Sequence, residues 1–106
     1  QLMNYIIIWS NFTEYQLDEI FNYYTKKVNV KVAQSIMFKI RDKVEVLIKN
    51  PLIGEKEELL EDRKQNYRRL IVTNYKIIYS LNEKVETIKI VDIFDTRQNP
   101  IKLKRN

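Results

Sequence analysis

Cysteine and histidine are both missing from this chain, which has a single glycine and two prolines in 106 residues. Without cysteine there is no disulfide framework and no thiolate chemistry, a composition that fits a reducing cytosol. Without histidine the commonest general base and the commonest transition-metal ligand are gone. Any catalysis must then rest on carboxylate, lysine, arginine or tyrosine. The carboxylates lack the glycine-punctuated spacing of a calcium loop, so no metal and no cofactor are expected. No apolar run approaches the ~18 residues that span a bilayer, and no signal-peptide pattern is present. The expectation is a cytoplasmic protein without membrane attachment. At this length one domain, residues 1–106, is expected, able to bury about two-thirds of its unfolded surface. Gln1-Leu2, ahead of Met3, read as added residues and stay outside the fold argument.

Charge is present and unevenly placed. The net charge is +5. Residues 1–66 carry ten Lys/Arg and ten Asp/Glu, whereas residues 67–106 carry nine and four. The excess therefore belongs to the second part, and it favours an anionic partner such as nucleic acid or an acidic protein segment.

Taken in order, Asn4 to Trp9 is a short apolar run that reads as a strand ended by Ser10-Asn11. Thr13 with Gln16, or Asn11 with Glu14, fits a capping box. The helix that follows has Leu17, Ile20, Phe21, Tyr24 and Val28 at helical spacing, with Lys26 and Lys27 suiting its C-terminal dipole. Asn29 breaks it. A second helix is predicted over 30–49, with Ala33, Ile36, Ile40, Val44, Leu47 and Ile48 as its buried stripe, and Asn50-Pro51 stops it. Two amphipathic helices across a short break form an antiparallel hairpin. Residues 55–66 hold five acids and three bases and read as a solvated loop or a frayed short helix, which Leu59-Leu60 can pin to the body.

Three strands follow: residues 67–72, 75–81 and 85–94, rich in β-branched and aromatic residues. Thr73-Asn74 and Asn82-Glu83-Lys84 are their turns. The fold class is thus α+β: an N-terminal strand, a helical hairpin, and a three-stranded antiparallel meander packed on the helices. Alternation puts Tyr75, Ile77, Tyr79 and Leu81 on one face and Lys76, Ile78 and Ser80 on the other. In the third strand strict alternation sets Ile88, Ile90, Asp92 and Phe94 against Lys89, Val91, Ile93 and Asp95. Ile78, too apolar for open solvent, calls for a cover: the tail, a bound protein or a dimer mate. Residues 98–106 form a basic tail.

Strand, helix, helix and meander in this order resemble the RelE/ParE toxin superfamily, the toxin halves of bacterial toxin–antitoxin pairs of the plasmid-stabilisation type. The likeness is carried by Trp9 closing the first strand and by Asn50-Pro51-Leu52-Ile53-Gly54 after the second helix. It continues in Tyr67-Arg68-Arg69-Leu70, in Asn74-Tyr75-Lys76-Ile77-Ile78-Tyr79, and in Ile93-Phe94-Asp95-Thr96-Arg97. The resemblance implies a cytoplasmic toxin neutralised by a cognate antitoxin, with a homodimer as a further option. Two targets stand open. ParE-like members poison DNA gyrase without nuclease chemistry. RelE-like members are metal-independent endoribonucleases that cut messenger RNA on the ribosome. A third option is an inactive member that only binds its antitoxin.

By motif position, the catalytic groups of a RelE-like site would be Arg68, Lys76 and Arg97. A target- or nucleic-acid-binding surface would add Arg69, Lys102, Lys104 and Arg105. Arginine stabilises phosphate charge well but is a poor base. Lys76 would serve as base only if crowded by Arg68 and Arg97; Glu86, Asp92 and Asp95 are other candidates. For the nuclease, Arg97 and Lys76 should project into one hollow facing away from the hairpin. The plain alternative is three solvated side chains on an open sheet face. Nuclease members often carry tyrosine or histidine near the C-terminus. No aromatic residue follows Phe94 here, which tilts the reading toward the non-nuclease mode.

Overall fold

A computed structural model of the chain describes residues 4–97. The elements are β1 (Ile6–Trp9), α1 (Asn11–Lys27), α2 (Val30–Glu45), β2 (Glu55–Lys56), β3 (Tyr67–Val72), β4 (Tyr75–Asn82) and β5 (Thr87–Asp95). One 3-10 turn, Val46–Ile48, extends α2, and another, Glu58–Leu60, follows β2. The strands form one five-stranded sheet in the order β1-β5-β4-β3-β2. β1 lies parallel to β5, while the other pairs are antiparallel. The predicted meander is thus the centre of a larger mixed sheet. The first strand joins it beside the last, and a two-residue strand closes the far edge.

The helices begin where hydrogen-bonding side chains stop the preceding chain. Ser10, not a residue of either capping box, caps α1 by accepting from the Thr13 amide at 3.1 Å. Asn29 caps α2 through the Val32 amide at 2.9 Å. The α-helical part of the second helix ends at Glu45, and its last turn tightens before Pro51.

The main core lies between the hairpin and one sheet face. Leu17, Ile40, Val44 and Leu47 meet Leu70, Val72, Tyr75, Ile77, Tyr79, Ile88, Ile90 and Ile93. Each fully buried aliphatic or aromatic side chain contributes about 1.5–3 kcal/mol, so this layer carries most of the fold. The opposite face has its own smaller core of Leu60, Ile78 and Phe94, flanked by Leu59, Tyr67 and Val91. Residues 55–66 are mostly exposed and include a short helix pinned by Leu59-Leu60, as expected, but Glu57 and Leu60 are buried. They fold across the sheet, and Leu60 with Phe94 and Tyr67 supplies the cover that Ile78 requires from within the chain.

A bulge in β5 alters the expected faces. Tyr79 pairs with Ile90 and Ile78 with Asp92, so Val91 is the extra residue. One extra residue inverts the alternation beyond it. Ile88 and Ile90 face the helices before the bulge, and Ile93 does so after it. Strict alternation had set Ile93 on the side opposite Ile88 and Ile90.

Candidate functional site

Past Trp9, the edge of β5 has no β1 partner, and α1 takes its place. The Ser10 amide and the Thr13 hydroxyl lie 3.1 Å from the Ile90 carbonyl. Gln16 goes further: its Oε1 accepts from the Ile93 amide at 2.8 Å, and its Nε2 donates to the Ile93 carbonyl at 3.2 Å and to Asp92 Oδ1 at 2.8 Å. One side-chain amide thus completes a strand edge. Next to it opens a cleft of about 510 Å³, lined by Tyr15, Glu19, Ile20 and Tyr23 of α1, with Tyr75, Asp95 and Arg97 opposite.

Arg97 belongs to that cleft. Its Nη2 stands 2.7 Å from Asp95 Oδ2 and its Nε 3.0 Å from Oδ1, while its backbone amide also donates to Oδ1 at 2.9 Å. These bonds, with help from the Asn74 amide and against partial burial, lower the Asp95 carboxyl from 3.8 to about 2. They raise Arg97 correspondingly. Burial, then the neighbouring Tyr24 and Asp95, pushes the Tyr75 phenol up, so it stays neutral at physiological pH.

Lys76 sits on the other side of the sheet. Its Nζ is 2.9 Å from Glu57 Oε1, and the Glu57 side chain is almost fully buried. Arg69 joins the same carboxylate at 3.8 Å and pairs with Glu55 at 2.9 Å. Arg68, one residue earlier, points to the helix side with Leu70 and Val72. It donates to the Gly54 carbonyl at 2.6 Å, fastening the Pro51–Gly54 turn.

The predicted site residues therefore separate. Arg69 and Lys76 come together on Glu57. Arg68 lies on the opposite face, and Arg97 lines a cleft against α1. The expectation that Arg97 and Lys76 share one hollow facing away from the hairpin is corrected. The β5 bulge turns the end of that strand toward α1, and Asp95 holds the guanidinium there. Lys76 is likewise not crowded by Arg68 and Arg97; a carboxylate stands beside it. Lys102, Lys104 and Arg105 lie outside the described residues. Glu57 and Gln16 were missed as site residues, because each sits in a segment whose local pattern explains it otherwise. The one signal for Glu57 was its place two residues before the Leu59-Leu60 anchor.

No described helix is long and apolar enough to cross a membrane. No curated protein matches the sequence. A solved structure described as the chromosomal ParDE TA system from P. aeruginosa shares the fold, with a TM-score of 0.70 at 16% identity. The match covers 86% of this chain and 95% of that one. The family model described as ParE toxin of type II toxin-antitoxin system, parDE, matches residues 7–100. That span takes in both helices, β2 to β5 and all of β1 but Ile6, so the chain belongs to the ParE toxin family of type II toxin–antitoxin systems.

Proposed function

We propose that this chain inhibits growth by binding an essential cytoplasmic target, DNA gyrase in the ParE-like manner, and that a cognate antitoxin neutralises it. The observation that carries the binding mode is the dispersal of Arg68, Lys76 and Arg97. Each has its own protein partner, at 2.6, 2.9 and 2.7 Å, on separate parts of the surface. Phosphodiester cleavage needs a base, a charge stabiliser and an acid converging on one phosphate. Binding a large partner needs no such convergence.

The antitoxin has an open strand edge to join. β2 pairs only with Arg69 and Arg68, so among the described residues no strand continues the sheet beside Leu70–Val72. Val46, Ile53 and Ile71, all exposed, surround that edge. Main-chain pairing with flanking apolar contacts is how an added strand gains affinity and register.

The test is induced expression, with two readouts taken within minutes. DNA breakage with the damage response and intact messages is the expected result. Ribosome-bound messenger cleavage that disappears in folded Arg97→Ala and Lys76→Ala variants would instead assign the RelE-like nuclease.

A further inference from the structure

The two ends of the sheet are protected unequally. At one end β2 is two residues long and both are charged, Glu55 and Lys56. Short, charged edge strands resist pairing with another strand. At the other end β1 has neither device. Tyr5-Ile6-Ile7-Ile8-Trp9 holds no charge and no proline, and among the described residues no strand lies beyond it. Ile7 and Trp9 pack toward the helices. Ile6 and Ile8 stand on the opposite face, 65% and 47% exposed, beside Thr87 and Lys89.

Main-chain bonds define how much of that edge is open. The Ile6 amide donates to the Glu86 carbonyl at 3.0 Å, and the Ser10 amide to the Ile90 carbonyl at 3.1 Å. Residues of a strand alternate in which neighbour their N–H and C=O address. Ile6, Ile8 and Ser10 therefore face β5, while Ile7 and Trp9 turn both groups outward. The edge is closed at its start, where the Tyr5 amide donates to the Ile48 carbonyl at 3.1 Å. What is left open is Ile7-Ile8-Trp9, with its outward residues symmetric about Ile8. Such a set is its own complement. About a two-fold axis at Ile8, Ile7 of one copy meets Trp9 of another, and every outward N–H and C=O of both copies finds a partner.

We propose that β1 pairs antiparallel with β1 of a second copy of this chain, in a register centred on Ile8, joining the two sheets into one. The two Ile8 side chains then touch across the axis as a non-hydrogen-bonded pair. No charge sits on the axis. The Lys89 cations of the two copies stand three strand spacings apart, about 14 Å, beyond the screening length at physiological salt. A second copy is held in register by the same features that bound the edge. Its own occupied Tyr5 amide and departing Ser10 leave the centred register as the one that pairs every open group. Three residues a side fall well short of the about 1,200–2,000 Å² buried by a lasting complex, so the dimer is weak and concentration-dependent. The open edge beside Leu70–Val72 lies at the far end of the sheet and stays accessible. The inference rests on β1 alone and not on the target or antitoxin proposed above.

The chain has no cysteine, so a single introduced thiol reports on this contact. Directly opposed residues of a non-hydrogen-bonded pair lie close enough to form a disulfide. Ile8→Cys should therefore cross-link to a covalent dimer under mild oxidation. Ile6→Cys, on the same face and more exposed, should not, because its counterpart is displaced by four residues, about 14 Å along the strand. Sedimentation of the unaltered full chain should show a dimer fraction that rises with concentration into the millimolar range. Ile8→Lys and Ile8→Glu should each weaken that association at least tenfold, and their equimolar mixture should recover it, since opposite charges then meet on the axis. If a charged variant does not fold, the two cysteine variants decide alone. A chain that stays monomeric throughout, cross-linking of Ile8→Cys no greater than that of Ile6→Cys, or a dimer unmoved by charge in place of Ile8 overturns the proposal.

Discussion

The Tyr79 hydroxyl accepts from the Gly54 amide at 3.0 Å and donates to the Pro51 carbonyl at 2.8 Å, so the central strand holds the turn that follows α2 from below. Burial pushes this phenol up in pKa, against the opposing pull of the Gly54 amide and Arg68. It therefore keeps its proton, and with it the bond to Pro51. The approach leaves no room at Gly54: an added Cβ would stand 2.5 Å from the Tyr79 oxygen and 2.6 Å from the Arg69 carbonyl. The single glycine of the chain is needed for proximity, not for a left-handed backbone. Gly54→Ala should cost about 1–3 kcal/mol, the range of overpacked sites, read as a lower urea midpoint. Tyr79→Phe should cost about 1–3 kcal/mol by leaving buried polar groups unpaired.

Gln16→Leu removes the amide that completes the β5 edge. The Ile93 amide and carbonyl would lose their partners in a partly buried place. The expected loss is about 1–3 kcal/mol, and the Ile93 amide should exchange with solvent faster than its neighbours in the same strand. Glutamate at this position could restore only the bond from the Ile93 amide, since it has no N–H to donate to the Ile93 carbonyl or Asp92.

Thr73 turns the β3–β4 hairpin at a φ of 52°. A β-branched residue is strained there, while asparagine adopts this region readily. Thr73→Asn should raise stability by about 1 kcal/mol, seen as a higher melting temperature with an unchanged fold.

Asp95 gives the chain a defined acid response. Its folded pKa, about 2, lies below the ordinary 3.8. Its stabilisation is therefore complete above the unfolded value and declines as pH falls from about 4 toward 2. The urea midpoint of the unaltered chain should exceed that of Asp95→Asn at pH 6, and the gap should close between those two pH values. A gap that persists at pH 2 would show that packing, not charge, separates the two proteins.

The hairpin and the central strands were legible because their patterns are local. Leu17, Ile20 and Tyr24 repeat at helical spacing, and Tyr75, Ile77 and Tyr79 alternate. Three features left no such mark. β2 is two charged residues long and exists only by pairing with Arg68 and Arg69. The extra residue at Val91 looks like any other valine in a strand, yet it reverses which side chains face the helices and so sends the end of β5 toward α1. The buried Glu57 lies in a stretch whose charge density signals solvent, and only the sheet cations facing it reveal otherwise. What composition located was the basic surface; what it could not divide was the two sides of that surface.

The parallel pairing of β1 with β5 joins Ile6–Trp9 to Thr87–Ile90 across nearly the whole chain. During synthesis the opening strand emerges first but has no neighbour until the closing strand is made. β3 and β4 can pair and cover part of the hairpin's apolar stripe first, but β1 is seated only when β5 arrives, a contact of high sequence separation. A chain that ends before Thr87 thus lacks the only strand, among the described residues, against which Ile6–Trp9 pairs.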